Sequence, residues 1–355
     1  MIDANLHAVV PGISALLPHL PAFWREQIAT TAFRGPTESA WPPGMPMSEH
    51  PSALRPEGGP AGSDLELLRM QTLDAWDLEQ GILNCGYAIE SIRNPDAAAA
   101  LAAAVNDWQI ARWLEPEPRL RASVVVPSQS PALAVAEIER IGHHPGFVQV
   151  FLPIRSAMPY GRREYHPVYA AAVDHGLAVS LQYGGFTGNA PTPVGWPTYL
   201  IEEYVGMASI AQSQVMSMII EGVCDAFPDL RVAVVDAGYT WLPATMWRFD
   251  KNWRGLRREV PWLRHPPSEY VREHFRFVSG PHDAPRDGAA LAHVLSDMWG
   301  AQLLLFGSGY PQDHHAQPRD AVPSHFSPAE ANQMMFDNAR DFYRLDATMP
   351  TGGRS

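Results

Sequence analysis

The sequence predicts a (β/α)8 TIM barrel, and three observations support that fold class. Eight short apolar runs alternate with helical patterns along the 355 residues, which is typical of a parallel α/β fold. Most of these runs are continuously apolar, as strands buried on both faces are. A doubly wound sheet would rarely need eight parallel strands, whereas α/β barrels commonly reach this length as one domain. We therefore expect residues 1–350 to form a single barrel domain.

The eight predicted strands are rich in Val, Ile, Leu and Phe and are bounded by Gly, Pro or polar residues, as in FVQVFLP and RVAVVDAG. Their order along the chain places a helical pattern between most successive strands. The predicted strands occupy residues 2–10, 81–87, 121–127, 147–153, 177–185, 231–238, 275–280 and 302–309.

The helices are predicted from their start signals and apolar periodicity. An Asn-Pro pair opens the first, Ser130 and Pro131 open the second, and Ser327 with Glu330 forms a capping box for the last. The third is long and strongly apolar, and we expect it to bend near Gly206. The predicted helices occupy residues 94–115, 130–142, 198–228, 240–260 and 327–345.

Residues 34–62 form a long insertion after the first strand and helix. This segment contains many Pro and Gly residues and has no periodicity. Such a loop in a barrel usually covers the active-site mouth or mediates assembly, and a mobile surface loop is the alternative.

Composition and charge exclude several classes of partner. The formal charge of −12 disfavours nucleic acid and anionic membranes as partners. No apolar run reaches the roughly 18–20 residues of a membrane span, and the N-terminus lacks the basic region of a signal peptide. Cys85 and Cys224 stand far apart in apolar contexts, so we expect buried, reduced thiols. We expect a cytoplasmic protein that acts on a small molecule.

Polar side chains collect where the predicted strands end. The carboxyl ends of barrel strands carry the chemistry in this fold, and buried polar groups need partners, so a ring of them indicates a ligand pocket. These residues are Asn5, His7, Arg155, Gln182, Tyr183, Asp236, Ser279, His282, Ser308, Gly309, Tyr310, Gln312, Asp313, His314 and His315.

Several blocks of the chain resemble the amidohydrolase-related (amidohydrolase 2) proteins. They are IDANLH, FVQVFLP, YHPVYAAAVDHGLAVSLQYGG, RVAVVDAGYTWLPATMWRFDKNW, PPSEYVREHFRF and LLLFGSGYPQ, and they extend over nearly the whole sequence. The chain is similar in particular to the aminocarboxymuconate-semialdehyde decarboxylase and resorcylate decarboxylase group. The resemblance implies a metal-dependent barrel of hydrolases and non-oxidative decarboxylases.

The metal-ligand pattern implied by the resemblance is changed at three of four positions. The family has an acidic residue or His two positions before a strand-one His, a His on strand five and an Asp ending strand eight. Here Asn5, Gln182 and Gly309 stand at the changed positions, and His7 is retained. Amides bind Zn²⁺ or Mn²⁺ poorly compared with imidazole and carboxylate. We therefore expect no metal cofactor, with Zn or Mn bound only if this degenerate site still holds an ion.

These observations predict an enzyme that uses acid/base chemistry without a metal. Decarboxylation, dehydration or cyclisation of an organic acid, or of a polyketide-type or aromatic molecule, fits such a site; hydrolysis is less suited because no metal generates hydroxide. The catalytic candidates are His7, Asp236, His282 and His314; the substrate-binding candidates are Asn5, Arg155, Gln182, Tyr183, Ser308 and Tyr310.

Alternatives stay open for the function and for single residues. A metal-dependent amidohydrolase or decarboxylase with atypical ligands is one, and a non-catalytic protein that binds a ligand or partner is another. His7 is equally consistent with a structural histidine, Asp236 with a cap on the helix near Thr240, and Arg155 with a surface ion pair. The apolar helix and the insertion offer contact surface, so we expect a homodimer.

Overall fold

Eight parallel strands, paired in chain order, form the central sheet, and this confirms the predicted fold class. The fold is that of a computed structural model, described for residues 1–36, 41, 49–54, 58–185, 190–280, 285, 288–312 and 317–345. The strands are β1 (Ile2–His7), β2 (Gln80–Asn84), β3 (Leu120–Val125), β4 (Phe147–Arg155), β5 (Ala178–Gly185), β6 (Val232–Val235), β7 (Phe275–Val278) and β8 (Leu304–Leu305).

Backbone hydrogen bonds between the last and first strands close the barrel. The Ala4 amide donates to Phe306 O at 2.8 Å, and the His7 amide donates to Tyr310 O at 2.8 Å. The Gly309 amide donates to Asn5 O at 2.9 Å, so the backbone continues the pairing beyond the end of β8. Because closure brings β8 beside β1, residues from the two ends of the chain share one barrel mouth.

Helices cover the outside of the barrel over the part of the chain that the structure describes. Three helices continue into π turns, at Arg69–Leu73, Ile110–Leu114 and Gln333–Asp337. The helices are α1 (Ile13–Leu16), α2 (Ala22–Thr30), α3 (Leu65–Leu68), α4 (Pro95–Gln109), α5 (Pro131–Ile141), α6 (His166–Asp174), α7 (Leu200–Ile220), α8 (Val223–Ala226), α9 (Leu242–Leu256), α10 (Pro267–His274), α11 (Gly288–Ser296), α12 (Pro318–Ala321), α13 (Pro328–Asn332) and α14 (Asn338–Tyr343).

Two predicted elements differ from the structure. Helix α7 runs without interruption through Gly206 and ends before Gly222, whose φ of 78° lies in the left-handed region. The predicted bend near Gly206 is therefore wrong, because a glycine with room around it lowers helix propensity without breaking the hydrogen-bond ladder. The predicted last strand (302–309) is reduced to two residues, since a 3-10 turn at Gly300–Leu303 occupies its start.

Part of the insertion lies at the barrel mouth. Trp41 Nε1 donates to Glu203 Oε2 at 2.8 Å, and the His50 amide donates to Pro311 O at 2.9 Å. These contacts join the insertion to α7 and to the segment after β8. That the insertion covers the mouth stays a prediction, since residues 37–40, 42–48 and 55–57 lie outside the described residues.

Within the described residues, no helix is long and apolar enough to cross a membrane. Cys85 and Cys224 are both buried, as expected, and neither forms a disulfide within the described residues. A single domain over residues 1–350 stays a prediction.

Candidate active site

Asp236 follows β6 and lies between two side chains of β1. Asn5 Nδ2 donates to Asp236 Oδ1 at 2.6 Å, and His7 Nε2 lies 3.4 Å from Asp236 Oδ2. The His7 and Asp236 side chains are 21% and 8% exposed, and the His7 Nε2 atom itself is buried. The Asn5 amide thus holds the carboxylate, and the imidazole lies beside its second oxygen.

Backbone geometry at Asp236 aims its carboxylate at this pair. Its φ is 55°, in the left-handed region that Asp tolerates better than most residues. Helix α9 begins at Leu242 without a side-chain cap. The alternative that Asp236 caps the helix near Thr240 is therefore wrong, because its carboxylate accepts from Asn5 instead.

A chain of buried amides leads to Asn5 from the barrel interior. Asn84 Oδ1 accepts from Ser123 Oγ at 2.7 Å, from Gln149 Nε2 at 3.0 Å and from Gln182 Nε2 at 2.7 Å. Asn84 Nδ2 donates to Asn5 Oδ1 at 3.0 Å. All five residues of the chain are at most 1% exposed.

The three hydrogen bonds that Asn84 Oδ1 accepts determine which end of each amide group in the chain faces its neighbour. With its oxygen fully engaged, Asn84 presents its N–H₂ group to Asn5, and Asn5 in turn presents its N–H₂ group to Asp236. Every bond in the chain therefore points its hydrogens toward the Asp236 carboxylate. Donors of this kind hold a carboxylate in one orientation.

A second buried carboxylate ties β1 to the segment after β8. Asp3 Oδ1 accepts from the amides of Asn5 at 2.9 Å and Ser308 at 3.0 Å. Burial raises the pKa of Asp3, although the hydrogen bonds from Ser308 and Asn5 oppose the rise. Ser308 is fully buried and its Oγ accepts from the Tyr310 amide at 3.1 Å. Ser308 thus holds the strand ends together.

Glycines let the end of β8 come close to Asn5. A Cβ on Gly307 would lie 2.3 Å from Val278 Cγ1 and 2.8 Å from Asn5 Cβ, so a larger residue there would displace Asn5. Gly309 has a φ of 78° and contributes only its backbone, through the bond to Asn5 O. The chain therefore packs tightly around Asn5 with no carboxylate from this strand end.

Arg155 forms a buried ion pair at the end of β4. Arg155 Nη1 donates to Glu203 Oε1 at 2.8 Å, and the two side chains are 5% and 8% exposed. The guanidinium also lies 5.8 Å from the centre of the Trp196 ring. The alternative of a surface ion pair is therefore wrong, because α7 covers this end of β4. Together Arg155 and Glu203 anchor α7 and, through Trp41, the insertion.

Two tyrosines stack at the barrel mouth, where Tyr183 lines a cavity and Tyr204 lies within the electrostatic influence of Asp236. Tyr183 and Tyr204 stack with ring centres 5.0 Å apart and planes at 18°. Burial raises the pKa of Tyr204; the hydrogen bond with Tyr183 lowers it, and the negative charge of Asp236 adds to the rise. Burial also raises the pKa of Tyr183 well above its usual range. Tyr183 lines a cavity of about 160 Å³ together with Phe151 and Pro153.

Among the described residues, the predicted candidates Tyr310 and Gln182 do not contact Asp236 directly. Tyr310 is buried and its hydroxyl donates to Gln71 Oε1 at 2.5 Å, in the helical layer. Gln182 takes part through Asn84 and Ser180, to which it donates at 2.7 and 2.8 Å. His282 and His314 lie outside the described residues, as do Asp313 and His315.

The side chains around Asp236 do not fit the metal site implied by the resemblance. Asn5 directs a donor nitrogen at Asp236, Gln182 directs its donor nitrogen at Asn84, and Gly309 has no side chain. One imidazole and one carboxylate are too few good ligands for zinc or manganese. Across the described ranges, no group of three or more His, Cys, Asp or Glu residues is arranged to hold a metal ion.

Several residues of the site were missed by reading strand ends alone. Asn84, Ser123, Gln149 and Asp3 stand within strands, and each is a polar residue inside an otherwise apolar run. Buried polar groups in such runs require partners, and that signal was available in the sequence. Glu203 and Tyr204 lie on α7, and no local pattern identifies them.

The amidohydrolase family model matches residues 2–345. A gamma-resorcylate decarboxylase from Polaromonas sp. is 21% identical over 294 residues, which cover 80% of this chain and 88% of the relative. An amidohydrolase from Mycobacterium avium subsp. paratuberculosis has a solved structure with a TM-score of 0.71 and 18% identity, covering 96% of this chain and 98% of that one. The structure of a dihydroxybenzoic acid decarboxylase from Polaromonas sp., solved with manganese and 2-nitroresorcinol, has a TM-score of 0.67 and 19% identity. The match covers 98% of this chain and 97% of that one.

Proposed function

The chain belongs to the amidohydrolase family, and from that premise we propose that it decarboxylates a small aromatic or β-keto acid by acid/base chemistry without the family metal. The observation that carries the proposal is the arrangement of Asn5, Asp236 and His7. The Asn5 side-chain amide, rather than a metal ion, lies beside one oxygen of the Asp236 carboxylate, and His7 lies beside the other. The names of the relatives, which are decarboxylases of hydroxybenzoates, support the reaction type.

His7 is the proton donor in this proposal. Protonated, it delivers a proton to the carbon that carries the substrate carboxylate. In an aromatic acid the bond from that carbon to the carboxylate then breaks, its electron pair returns to the ring, and CO₂ leaves. In a β-keto acid the bond breaks first, its electron pair forms the enolate as CO₂ leaves, and the enolate carbon then takes the proton. No water is consumed, and His7 regains its proton from solvent. Asp236 Oδ2 lies 3.4 Å from His7 Nε2 and holds the imidazole in position.

The mouth supplies surfaces for an aromatic substrate. Phe151 and Tyr183 line the cavity there, and flat apolar side chains bind a ring by stacking or edge contacts. The Tyr183 and Tyr204 hydroxyls stay protonated at neutral pH, since both pKa values are raised, and can donate to a phenol or carboxylate. Arg155 and Glu203 neutralise each other, so we assign Arg155 a role in holding the mouth rather than in direct carboxylate binding.

A substrate panel tests the proposal. Purified protein would be incubated in D₂O with hydroxybenzoates, dihydroxybenzoates and β-keto acids, and CO₂ release and product deuteration would be followed. We expect one deuterium at the carbon that loses the carboxylate, and loss of activity in Asp236→Asn. No CO₂ from any member of the panel, with unimpaired ligand binding, would instead support the alternative of a non-catalytic binding protein.

A metal-dependent decarboxylase with atypical ligands is the second candidate. The observation in its favour is the manganese in the Polaromonas structure. Among the described residues, His7 and Asp236 are available as ligands for it. Chelation distinguishes the two candidates, as set out in the Discussion.

We also propose a homodimer formed through α7. Tyr199, Ile201 and Val205 are 68%, 70% and 72% exposed, and residues 204–220 include no charged side chain. On a protein with a net charge of −12, an uncharged helix face is where two copies meet with least repulsion. A cytoplasmic location stays a prediction.

A further inference from the structure

A groove of three adjoining cavities leads away from the barrel mouth along the loop that follows β2. Gly86, Ala88 and Glu90 line the mouth cavity of about 160 Å³, and Glu90 also lines a second cavity of about 270 Å³. Ile92 lines this second cavity and also a third, of about 180 Å³, between α2 and α4. Small-molecule sites usually occupy roughly 300–1,000 Å³. The mouth cavity alone is below that range, and the three cavities together lie within it.

Hydrogen bonds hold the loop that forms this side of the groove in one shape. Gln129 Nε2 donates to Ile89 O and to Ile92 O, both at 3.0 Å. Ser91 Oγ donates to Ala88 O at 2.8 Å. Ala88 has a φ of 46°, in the left-handed region that residues with a Cβ rarely adopt. Backbone strain of this kind is concentrated at active sites and ligand-binding sites.

The lining changes in character along the groove. Phe151 and Tyr183 give the mouth cavity aromatic walls. The second cavity is polar and carries both signs of charge together with uncharged hydroxyl and amide groups; its polar lining residues include Glu90, Arg93, Arg155, Ser128, Gln129 and Ser156. Because acidic and basic groups are both present, this part of the groove suits an uncharged polar group rather than an ion.

The third cavity is apolar and lies beside a helix that has no buried residue. None of the nine residues of α2 is buried, although a surface helix normally buries one apolar stripe. Trp24 and Ile28, one turn apart on α2, are half-buried and line this cavity together with Phe33. Ala97 and Leu101 of α4 line it from the other side. An apolar concavity that stays open to solvent favours an apolar group of a ligand.

We infer that the groove binds the side chain of the substrate, and that the substrate is an aromatic acid with an alkyl tail joined through an uncharged oxygen. The ring packs against Phe151 and Tyr183, the oxygen lies in the polar second cavity, and the tail packs against Trp24 and Ile28. Glu90 and Ile92 join the three cavities in this order, so one extended molecule accounts for all of them. The position of the ring rests on the proposed function.

Calorimetric titration of the wild-type protein with 2-hydroxybenzoates that carry an alkoxy chain at ring position 4 or 5 tests the inference. The chain is lengthened from methoxy to butoxy to octyloxy. Each methylene group that enters the apolar cavity should tighten binding roughly three- to fourfold. In at least one of the two series, we therefore expect the octyloxy acid to bind at least tenfold more tightly than the butoxy acid.

A variant that fills the apolar cavity locates the tail. In Ala97→Phe we expect the octyloxy acid to bind at least tenfold more weakly than in the wild type, and the methoxy acid to bind equally well. Ala99→Phe is the matched control, because Ala99 is half-buried on the same helix and lines none of the three cavities. It should bind both acids as the wild type does. Tyr183→Ala should weaken both acids, since both place the ring at the mouth.

Fluorine NMR of wild-type protein labelled with 5-fluorotryptophan gives an independent readout. The Trp24 signal, assigned by its loss in Trp24→Phe, should shift with the octyloxy acid and not with the methoxy acid. The inference is overturned if affinity does not rise with chain length or if the Trp24 signal does not respond. It is also overturned if Ala97→Phe binds the octyloxy acid as tightly as the wild type, or if Tyr183→Ala leaves its affinity unchanged.

These binding measurements do not require turnover, so they separate the groove from the proposed reaction. Binding that depends on the tail, without release of CO₂ from any of the acids, would overturn the proposed decarboxylation and support the groove. Release of CO₂ from the methoxy acid, with no gain in affinity along either series, would overturn the groove and support the decarboxylation.

Discussion

Asn5 Nδ2 lies 2.6 Å from Asp236 Oδ1, so an uncharged side chain donates to the carboxylate at the position where the resemblance places a metal ligand. The donor is itself held by Asn84, whose oxygen accepts from three side chains of the barrel interior. Asn5, where the resemblance implies an acidic residue or His, therefore belongs to an organised hydrogen-bond network.

Removing the Asn5 donor should impair catalysis more than folding. Asn5→Ala deprives Asp236 of a charge-assisted hydrogen bond, and we expect decarboxylation kcat/KM to fall about ten- to hundredfold. Asn84→Asp keeps the acceptor for the three interior donors but loses the hydrogen that orients Asn5, and it should shift the pH profile of kcat/KM. Unchanged rates and pH profiles in both variants would show that the network is only structural.

Replacing His7 should remove the proton donor. In His7→Gln we expect kcat to fall roughly 10²–10⁴-fold, the usual contribution of a positioned acid or base. His175→Gln is the matched control, because His175 is paired with Glu139 away from the mouth and should retain activity. Steady-state assays with the best substrate of the panel measure both, and equal rates in the two variants would contradict the assignment.

Chelators should leave the activity intact. The donors around Asp236 are amide nitrogens, which do not hold Mn²⁺ or Zn²⁺. After dialysis against EDTA and 1,10-phenanthroline, we expect unchanged kcat/KM and less than stoichiometric metal by elemental analysis. If activity is lost and Mn²⁺ restores it, the metal-dependent candidate is correct.

Glu117 should make the fold sensitive to acid. Burial raises the pKa of Glu117, but hydrogen bonds from Arg119 and Arg69 outweigh burial and lower it to about 2. A depressed pKa stabilises the fold above the ordinary carboxyl pKa of 4.5, and this stability is lost as the pH falls toward 2.

In Glu117→Gln we expect the free energy of unfolding at pH 7 to fall by roughly 1–2 kcal/mol, allowing for solvent screening. Between pH 4.5 and 2 the difference from the wild type should narrow. Urea unfolding across that pH range measures the difference in the free energy of unfolding, and Glu259→Gln, a change at an exposed residue, is the control. A difference that is constant with pH would contradict the assigned cause.

A charge on the exposed face of α7 should dissociate the proposed dimer. Val205→Glu introduces a like charge on both copies, and we expect a shift from dimer to monomer by light scattering. Leu256→Glu alters an equally apolar residue, 61% exposed on α9, and should leave the mass unchanged. A wild-type monomer at all concentrations would refute the dimer.

Local patterns predicted the strands and the helices α4, α5, α7, α9, α13 and α14, because each depends on neighbouring residues; the helices α1 to α3, α6 and α10 to α12 were not predicted. FVQVFLP has the apolar continuity of a buried strand, and Ser327 with Glu330 forms the capping box found at α13. The extent of β8 and the straightness of α7 were not predictable locally, since the chain packed around them decides both.

The candidate site was predictable only in part. His7, Asp236, Asn5 and Gln182 were identified as polar residues at strand ends, and the structure brings them into one network through Asn84. Arg155 was identified as a candidate to bind substrate, but its partner Glu203 lies 48 residues away on α7, and no local pattern joins the two.

The sequence by itself determined the barrel and the identity of the polar residues at its mouth, because apolar periodicity and residue type are properties of the chain. Only the tertiary structure decided which of those residues are hydrogen-bonded to each other and which of each pair is the donor. Closure of β8 onto β1 and the register of β2 beside β1 place Asn84 next to Asn5, and Asn5 next to Asp236. Hydrogen-bond direction depends on distances of about 3 Å between residues far apart in sequence, and folding alone sets those distances.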